Sequence, residues 1–167
     1  MSEKNITIAF SEQINSDSVY MFINKLEQIN NKNPQADKLT INISSLGGNV
    51  DIAIELFNFI NTLDCHIKMV NTSYVNSAAI IVFLAGDERI CLPGSSFYVH
   101  SITKHLDGNY CADELIREAR EMNANTEKVT SLLELKTNKN KTYWKKLMKK
   151  GQMISKGKAF ELGITTA

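Results

Sequence analysis

A serine, a histidine and a pair of glycines are spaced so that each follows a predicted strand. Ser77 stands at the head of an apolar run, and His100 directly follows an alternating segment at 96–99. Gly47 and Gly48 come soon after another alternating segment. Because open α/β sheets place their sites at the carboxyl ends of strands, these residues are expected to meet at one edge. There they could supply a nucleophile, a general base and backbone N–H groups for an oxyanion.

Each of these residues also has a purely structural interpretation. Ser77 could only cap a helix predicted at 77–84, after a polar turn predicted at 71–73, as most serines before helices do. His100 could be a structural histidine at a strand end, and a glycine pair suits any tight turn. The combination of all three features at one edge favours catalysis.

The elements that must position these residues alternate between strands and helices. Apolar periodicity predicts strands at 6–10, 39–44, 66–70, 89–92 and 96–99, and helices at 16–30, 50–63 and 77–84. A polar loop containing Pro34 is predicted at 30–37. This alternation predicts an α/β fold with a largely parallel sheet.

A single long helix is predicted at 112–135. Its apolar positions step by four and three residues, at Leu115, Ala119, Met122, Thr126, Val129 and Leu133. A helix of this length would be roughly 36 Å long, which exceeds what a small domain needs internally. We therefore expect it to project and to pack along this seam against another copy of the chain.

Composition limits the class of protein. The chain has 167 residues, 43% of them hydrophobic, and a net charge of +1, which fits one globular domain over 1–167 without a general nucleic-acid or membrane surface. The lysines crowded into 136–158 are interpreted as a solvated face. Three cysteines without metal-ligand spacing and the lack of a signal region favour a reduced, cytoplasmic protein.

Several motifs resemble those of the proteolytic subunit of the Clp protease, a serine peptidase of the crotonase-type fold. Residues 43–50, Ile-Ser-Ser-Leu-Gly-Gly-Asn-Val, resemble the family's Ile-Asn-Ser-Pro-Gly-Gly-Ser-Val, and residues 76–79, Asn-Ser-Ala-Ala, are similar to its Ala-Ser-Met-Gly. Residues 92–100 resemble its Leu-Pro-Asn-Ser and Ile-His, and residues 155–163 its Ser-Ala-Glu-Glu-Ala. The resemblance covers about residues 6–164.

The resemblance implies a fold of repeated β-β-α units with a projecting handle helix. The head would comprise about 1–108 and 137–167, and the handle about 112–135. It also implies a homo-oligomer of stacked rings that encloses peptide or unfolded protein substrates, with neither metal nor organic cofactor. An ATPase unfoldase partner is implied as well, although the short segment before residue 6 argues against the family's pore gating and ATPase docking.

By the same resemblance, Ser77 corresponds to the family's nucleophile and His100 to its general base. The backbone N–H groups of Gly48 and Ala78 correspond to its oxyanion hole. The third member of the triad does not carry over, because the position of the family's aspartate falls on Gly151. The expected function is that of an atypical Clp-type serine peptidase that cleaves peptides or unfolded proteins.

Gly151 leaves open what orients the histidine. A backbone carbonyl, a water, Gln152, or a carboxylate such as Asp107 or one of a neighbouring subunit could take the role, and Lys149 or Lys150 could serve as the base. If the position is simply empty, Gly151→Asp should raise turnover. The main alternative is an inactive Clp-like ring or scaffold subunit, and a further one is acyl-thioester chemistry with the same oxyanion donors.

Overall fold

A computed structural model describes residues 4–33 and 36–167 of the chain. The N-terminal residues 1–3 and the part of the predicted loop that contains Pro34 lie outside the described residues. The elements follow in the order β1 (Asn5–Phe10), α1 (Ser16–Lys32), β2 (Lys38–Ser45), α2 (Val50–Ile60), β3 (His66–Asn76), α3 (Ala79–Phe83), β4 (Glu88–Cys91), β5 (Ser96–Val99), α4 (Ala112–Lys136), α5 (Lys141–Lys150), β6 (Gln152–Ser155) and α6 (Lys156–Leu162).

The described part of the chain forms a six-stranded, largely parallel sheet, as predicted. Its strand order is β1-β2-β3-β5-β6, and β4 also pairs with β3. The strands β1 to β5 pair in parallel, whereas β6 runs antiparallel to β5. The carboxyl ends of β2, β3 and β5 therefore lie at the same edge of the sheet, where Gly47, Ser77 and His100 follow them.

Strand β3 is longer than predicted, and the prediction of a polar turn at 71–73 is wrong. The strand continues through Asn71, whose side-chain amide is buried and donates to the carbonyl of Ser96 at 2.9 Å. The Asn71 side chain also accepts from Ser73 N–H at 3.2 Å. These polar groups thus stabilise the part of β3 at which its neighbouring strand changes from β4 to β5.

The helix after Ser77 is shorter than predicted. Helix α3 covers Ala79–Phe83, and all of its residues are buried in the core, between β3 and α2. Ser77 and Ala78 lie in the turn before it and not in the helix. The N–H groups near Ser77 are therefore presented by a tight turn.

Helix α4 divides into a buried end and an exposed end. Its bounds, Ala112–Lys136, match the predicted helix within a residue. Val129 and Leu133, at the C-terminal end of the predicted seam, pack in the chain's own core. Leu115 and Ile116, near the N-terminus, are 48% and 49% exposed. The seam is therefore split, because only its N-terminal part is available to a second copy.

The C-terminal elements α5, β6 and α6 were not predicted from the sequence. Helix α5 is anchored by Trp144 and Met148, which are buried one helical turn apart. The Trp144 indole N–H donates to the Thr137 hydroxyl at 3.0 Å. Across the described residues, every helix is too short or too polar to cross a membrane.

The buried guanidinium of Arg89 fastens the C-terminal segment to the head. It donates to the carbonyl oxygens of Ile164 at 2.8 Å, Gly86 at 2.9 Å, Gly163 at 3.1 Å and Lys136 at 3.3 Å. Burial lowers the pKa of Arg89, because the charged form loses water. Four carbonyl groups from three segments of the chain thus accept hydrogen bonds from one side chain.

Arg89→Met should lower the free energy of unfolding by about 3 kcal/mol, because it leaves buried carbonyl groups without a donor. The measurement is the midpoint of urea unfolding at fixed protein concentration. Arg120→Met, at an exposed position on α4, is the matched control and should change the midpoint little. Equal midpoints for the two variants would contradict the role given to Arg89.

Candidate active site

Ser77 occupies a strained turn between β3 and α3. Its φ of 53° is the one positive φ of a non-glycine residue among those the structure describes. The turn is held on both sides, because Ser77 N–H donates to the Tyr98 carbonyl at 2.7 Å and the Ser77 carbonyl accepts from Ile80 N–H at 3.1 Å. Residues held in sparsely populated conformations cluster at functional sites, and a serine on such a turn is typical of nucleophiles.

The glycine pair after β2 is required by the close approach of three backbone segments. A Cβ at Gly47 would lie 2.6 Å from the Asn76 carbonyl oxygen and 2.8 Å from Ser77 Cβ. A Cβ at Gly48 would lie only 2.1 Å from the Ile14 carbonyl oxygen, and both glycines have positive φ. A side chain at residue 47 would therefore displace the Ser77 turn, and one at residue 48 would displace the backbone of Ile14.

The same packing leaves two backbone donors available. Ile14 N–H donates to Gly47 O at 2.8 Å and Asn49 N–H donates to Ile14 O at 2.9 Å, so this pairing does not use Gly48 N–H. Within the described residues, neither Gly48 N–H nor Ala78 N–H donates to another group of the chain. Free N–H groups on adjoining tight turns are suited to stabilise an oxyanion.

His100 follows β5 directly, and a backbone carbonyl fixes its tautomer. His100 Nδ1 lies 2.6 Å from the carbonyl oxygen of Ser101. Because a carbonyl can only accept, this contact places the proton of a neutral imidazole on Nδ1 and its lone pair on Nε2. The Tyr98 ring stacks on the imidazole, with 5.4 Å between centroids and 22° between planes. The histidine is thus oriented in the form that can act as a base.

Ser77 and His100 line the same cavity. It has a volume of about 190 Å³, and its lining also includes Gly48, Asn49, Ile102 and Asn125. No hydrogen bond joins Ser77 to His100 in the described residues. A smaller apolar depression adjoins it, lined in part by Val50, Ile80, Val99 and Met148. Catalytic hydrogen bonds in unliganded sites are often loose and tighten with substrate, so the shared cavity is compatible with catalysis.

The candidates for a third catalytic residue are accounted for individually. Gly151 ends α5 with a φ of 62° and offers no side chain. Asp107 is 88% exposed and contacts His105 at 2.9 Å instead of His100. Gln152, Lys149 and Lys150 are exposed and do not line the Ser77 cavity. The Ser101 carbonyl is therefore the group of the described chain that contacts His100 Nδ1.

A charged group on the cavity wall was missed by the sequence analysis. Lys104 lies 2.5 Å from a carboxylate oxygen of Glu118 and 2.9 Å from one of Glu121, both on α4. The contact with Glu118, and to a smaller extent the contact with Glu121, raises the pKa of Lys104. The two carboxylates therefore favour the cationic form of Lys104. Lys104 lies 14 or more residues from Glu118 and Glu121 in the sequence, so no local pattern indicated this contact.

Comparisons with known proteins bear on the family and the fold of the chain. A profile of the Clp protease family matches residues 2–167. Among solved structures, an asparagine-to-aspartate mutant of ClpP1 from Listeria monocytogenes superposes with a TM-score of 0.84, at 24% identity over 95% of this chain and 88% of that chain. This likeness concerns the fold. A search of curated protein sequences finds no significant match.

Gly48→Ala should disrupt the site, because its Cβ would overlap the Ile14 carbonyl. We expect a loss of about 2–3 kcal/mol in unfolding free energy, and a reactivity of Ser77 towards a fluorophosphonate reduced about tenfold or more. Gly94→Ala is the control, since Gly94 also has a positive φ but has open space around it. If the two variants lost similar amounts of unfolding free energy and of Ser77 reactivity, the positive φ of Gly48 and not its close packing would explain the need for glycine.

Proposed function

The chain belongs to the Clp protease family, and we propose that it is a serine endopeptidase that cleaves peptides or unfolded proteins. In this proposal Ser77 is the nucleophile, His100 is the general base, and Gly48 and Ala78 supply the oxyanion hole. The observation that carries the proposal is the strained Ser77 turn, which shares a cavity with a histidine whose Nε2 is free to accept a proton.

The proposed reaction uses these groups in sequence. His100 Nε2 takes the proton of Ser77 Oγ as the oxygen attacks the scissile carbonyl carbon. The resulting oxyanion accepts hydrogen bonds from the N–H groups of Gly48 and Ala78. The imidazolium then protonates the leaving amine, and a water activated by the same histidine hydrolyses the acyl-enzyme.

The Ser101 carbonyl replaces part of what a triad aspartate does. Loss of that aspartate in serine proteases costs about four orders of magnitude in kcat, largely because the histidine then adopts the wrong tautomer. The carbonyl at 2.6 Å from His100 Nδ1 favours the useful tautomer. It carries no negative charge, however, and stabilises the imidazolium less than a carboxylate does. We therefore propose slow but real turnover, higher than for a site with no orienting group.

The form of the site favours an extended peptide as substrate. The cavity beside Ser77 is bounded by Ile102, Thr103 and Lys104, which belong to a segment without helix or strand. The adjoining apolar depression could receive one apolar side chain of the substrate. We propose no preference beyond this pairing of an apolar contact with a polar cavity.

We also propose that the chain works as a homo-oligomer that encloses the Ser77 sites. The exposed N-terminal half of α4 carries Leu115 and Ile116 side by side, each about half exposed in the single chain. Apolar side chains on a projecting helix are generally covered in soluble proteins. A second copy of α4 offers a matching apolar surface by symmetry.

Ser77 should react with a fluorophosphonate probe, because the reaction requires an activated serine. Ser77→Ala should abolish labelling, whereas Ser73→Ala, an exposed serine on the same strand β3, should leave it unchanged. Mass spectrometry of the labelled peptide identifies the site. If assembled protein of native fold stays unlabelled after long exposure, the chain is an inactive family member.

Replacing both Leu115 and Ile116 by lysine should lower the mass of the assembly, since the charges would have to be buried between copies of α4. Light scattering should report a mass many times the 18.7 kDa of one chain for the unmodified protein. Asn123→Lys, at an exposed polar position on α4, serves as the control. A monomer at micromolar concentration in the unmodified protein would contradict the enclosed site.

A further inference from the structure

We propose that Tyr98 is a positioning residue that holds the His100 ring in place and occupies the space in front of Gly151. The inference rests on the proposed function of Ser77 and His100, and it assigns the orienting role to a neutral aromatic ring together with a carbonyl. Tyr98 lies on β5, two residues before His100, and touches both candidate catalytic residues.

The backbone of Tyr98 is tied to the nucleophile turn. Its carbonyl accepts the Ser77 N–H at 2.7 Å, and it pairs in register with Asn76 of β3. On its other side it pairs with Met153 of β6. Because strands on both sides hold it, the main chain of Tyr98 is fixed relative to Ser77.

The ring of Tyr98 restricts the histidine. Residues two apart in a strand point to the same face, so the side chains of Tyr98 and His100 lie side by side. Their rings are nearly parallel, at 22°, with centroids 5.4 Å apart, which is the offset stacked arrangement that aromatic pairs favour. The stack sets the plane of the imidazole, while the Ser101 carbonyl sets which nitrogen is protonated.

The hydroxyl of Tyr98 faces Gly151. A Cβ built at Gly151 would lie 3.0 Å from the Tyr98 hydroxyl oxygen, and the ring carbon that bears this oxygen would be 3.9 Å away. The first distance is shorter than most contacts of a Cβ atom, whereas the second is an ordinary van der Waals contact. Tyr98 and Gly151 are therefore complementary, because a Cβ at residue 151 would make the Tyr98 hydroxyl give way by a few tenths of an ångström.

This complementarity predicts that Gly151→Asp alone lowers turnover, whereas an empty acid position predicts that it raises turnover. The new side chain would press on the Tyr98 hydroxyl and shift the ring that holds His100. Removing only the hydroxyl, by Tyr98→Phe, would relieve the contact and keep the ring. A carboxylate at residue 151 should thus be useful only in the presence of phenylalanine at residue 98.

The first experiment compares Tyr98→Leu with Tyr98→Phe in the assembled protein. Tyr98→Leu should lower the maximal rate of fluorophosphonate inactivation about fivefold with little change in the half-saturating concentration, since stacking and not probe binding is lost. Tyr98→Phe, which keeps the ring, should restore most of the rate. Tyr20→Leu, on the exposed face of α1, should leave the rate unchanged.

A spectroscopic readout separates positioning from general stability. The chain has three histidines, so isotope-labelled histidine gives few signals, which substitutions of His66 and His105 assign. In the unmodified protein the nitrogen shifts of His100 should report a proton on Nδ1. In Tyr98→Leu the ring, no longer held in its plane, should turn away from the Ser101 carbonyl, so that the shifts move towards the average of the two tautomers. Tyr98→Phe should retain the original values.

The second experiment is a double-mutant cycle of Tyr98→Phe with Gly151→Asp. Gly151→Asp alone should lower the inactivation rate, and the double variant should exceed both single variants. Gly94→Asp controls for an aspartate at positive φ, because Gly94 has open space around it. Additive effects in the cycle would overturn the proposed complementarity.

The outcomes distinguish this inference from the proposed function. If the unmodified protein reacts with the probe but Tyr98→Leu keeps its rate and its His100 shifts, Tyr98 has no positioning role and the peptidase proposal stands. If the unmodified protein does not react, yet the His100 shifts respond to Tyr98→Leu as described, the peptidase proposal fails and the positioning role stands.

Discussion

The close approach of the β2–α2 turn to the β3–α3 turn is the constraint on which the rest of the site depends. Gly47 packs against the main chain of Asn76 and Ser77, and Gly48 packs against Ile14. Without side chains at these two positions, the backbones come close enough to hold Ser77 at a positive φ. The same contact leaves the N–H groups of Gly48 and Ala78 free. The strained serine and the two free N–H groups beside it thus arise from one packing arrangement.

Around this contact, the site orients its histidine without a buried carboxylate. A buried carboxylate has a large desolvation cost, which is recovered only when the charge is well paired. The Ser101 carbonyl and the Tyr98 ring avoid that cost, since both are neutral. They fix the tautomer and the plane of the imidazole but add no negative charge to balance the imidazolium. For the proposed reaction, this arrangement would organise the ground state but give the transition state less electrostatic support than a carboxylate gives.

The sequence was sufficient to predict the α/β class, the parallel order of the first strands and the edge at which Ser77 and His100 lie, because apolar periodicity and glycine pairs are local signals. It failed where a residue's role depends on distant partners. Asn71 reads as a turn residue, yet in β3 its amide is satisfied by Ser96. Trp144 anchors α5 within a run of lysines that suggested only a solvated surface.

The same limit applied to the site itself. The contact of His100 with the Ser101 carbonyl depends on a ring torsion, which no pattern of residue types encodes. Likewise, Tyr98 on β5 faces Gly151 at the end of α5, although the two residues are more than fifty positions apart in the sequence. The family resemblance located Gly151 as the place of a missing acid. In the structure, the Tyr98 hydroxyl faces that position.

Helix α4 joins two surfaces that are otherwise far apart. Its N-terminal part bears the exposed Leu115 and Ile116, while Glu121, Met122 and Asn125 further along form one wall of the Ser77 cavity. Its Glu118 and Glu121 side chains also form ion pairs with Lys104, which lines the same cavity. An α-helix is stiff, so a tilt imposed at one end is transmitted to the other. In the proposed assembly, a contact between copies at Leu115 and Ile116 would therefore also bear on the width of the cleft beside Ser77.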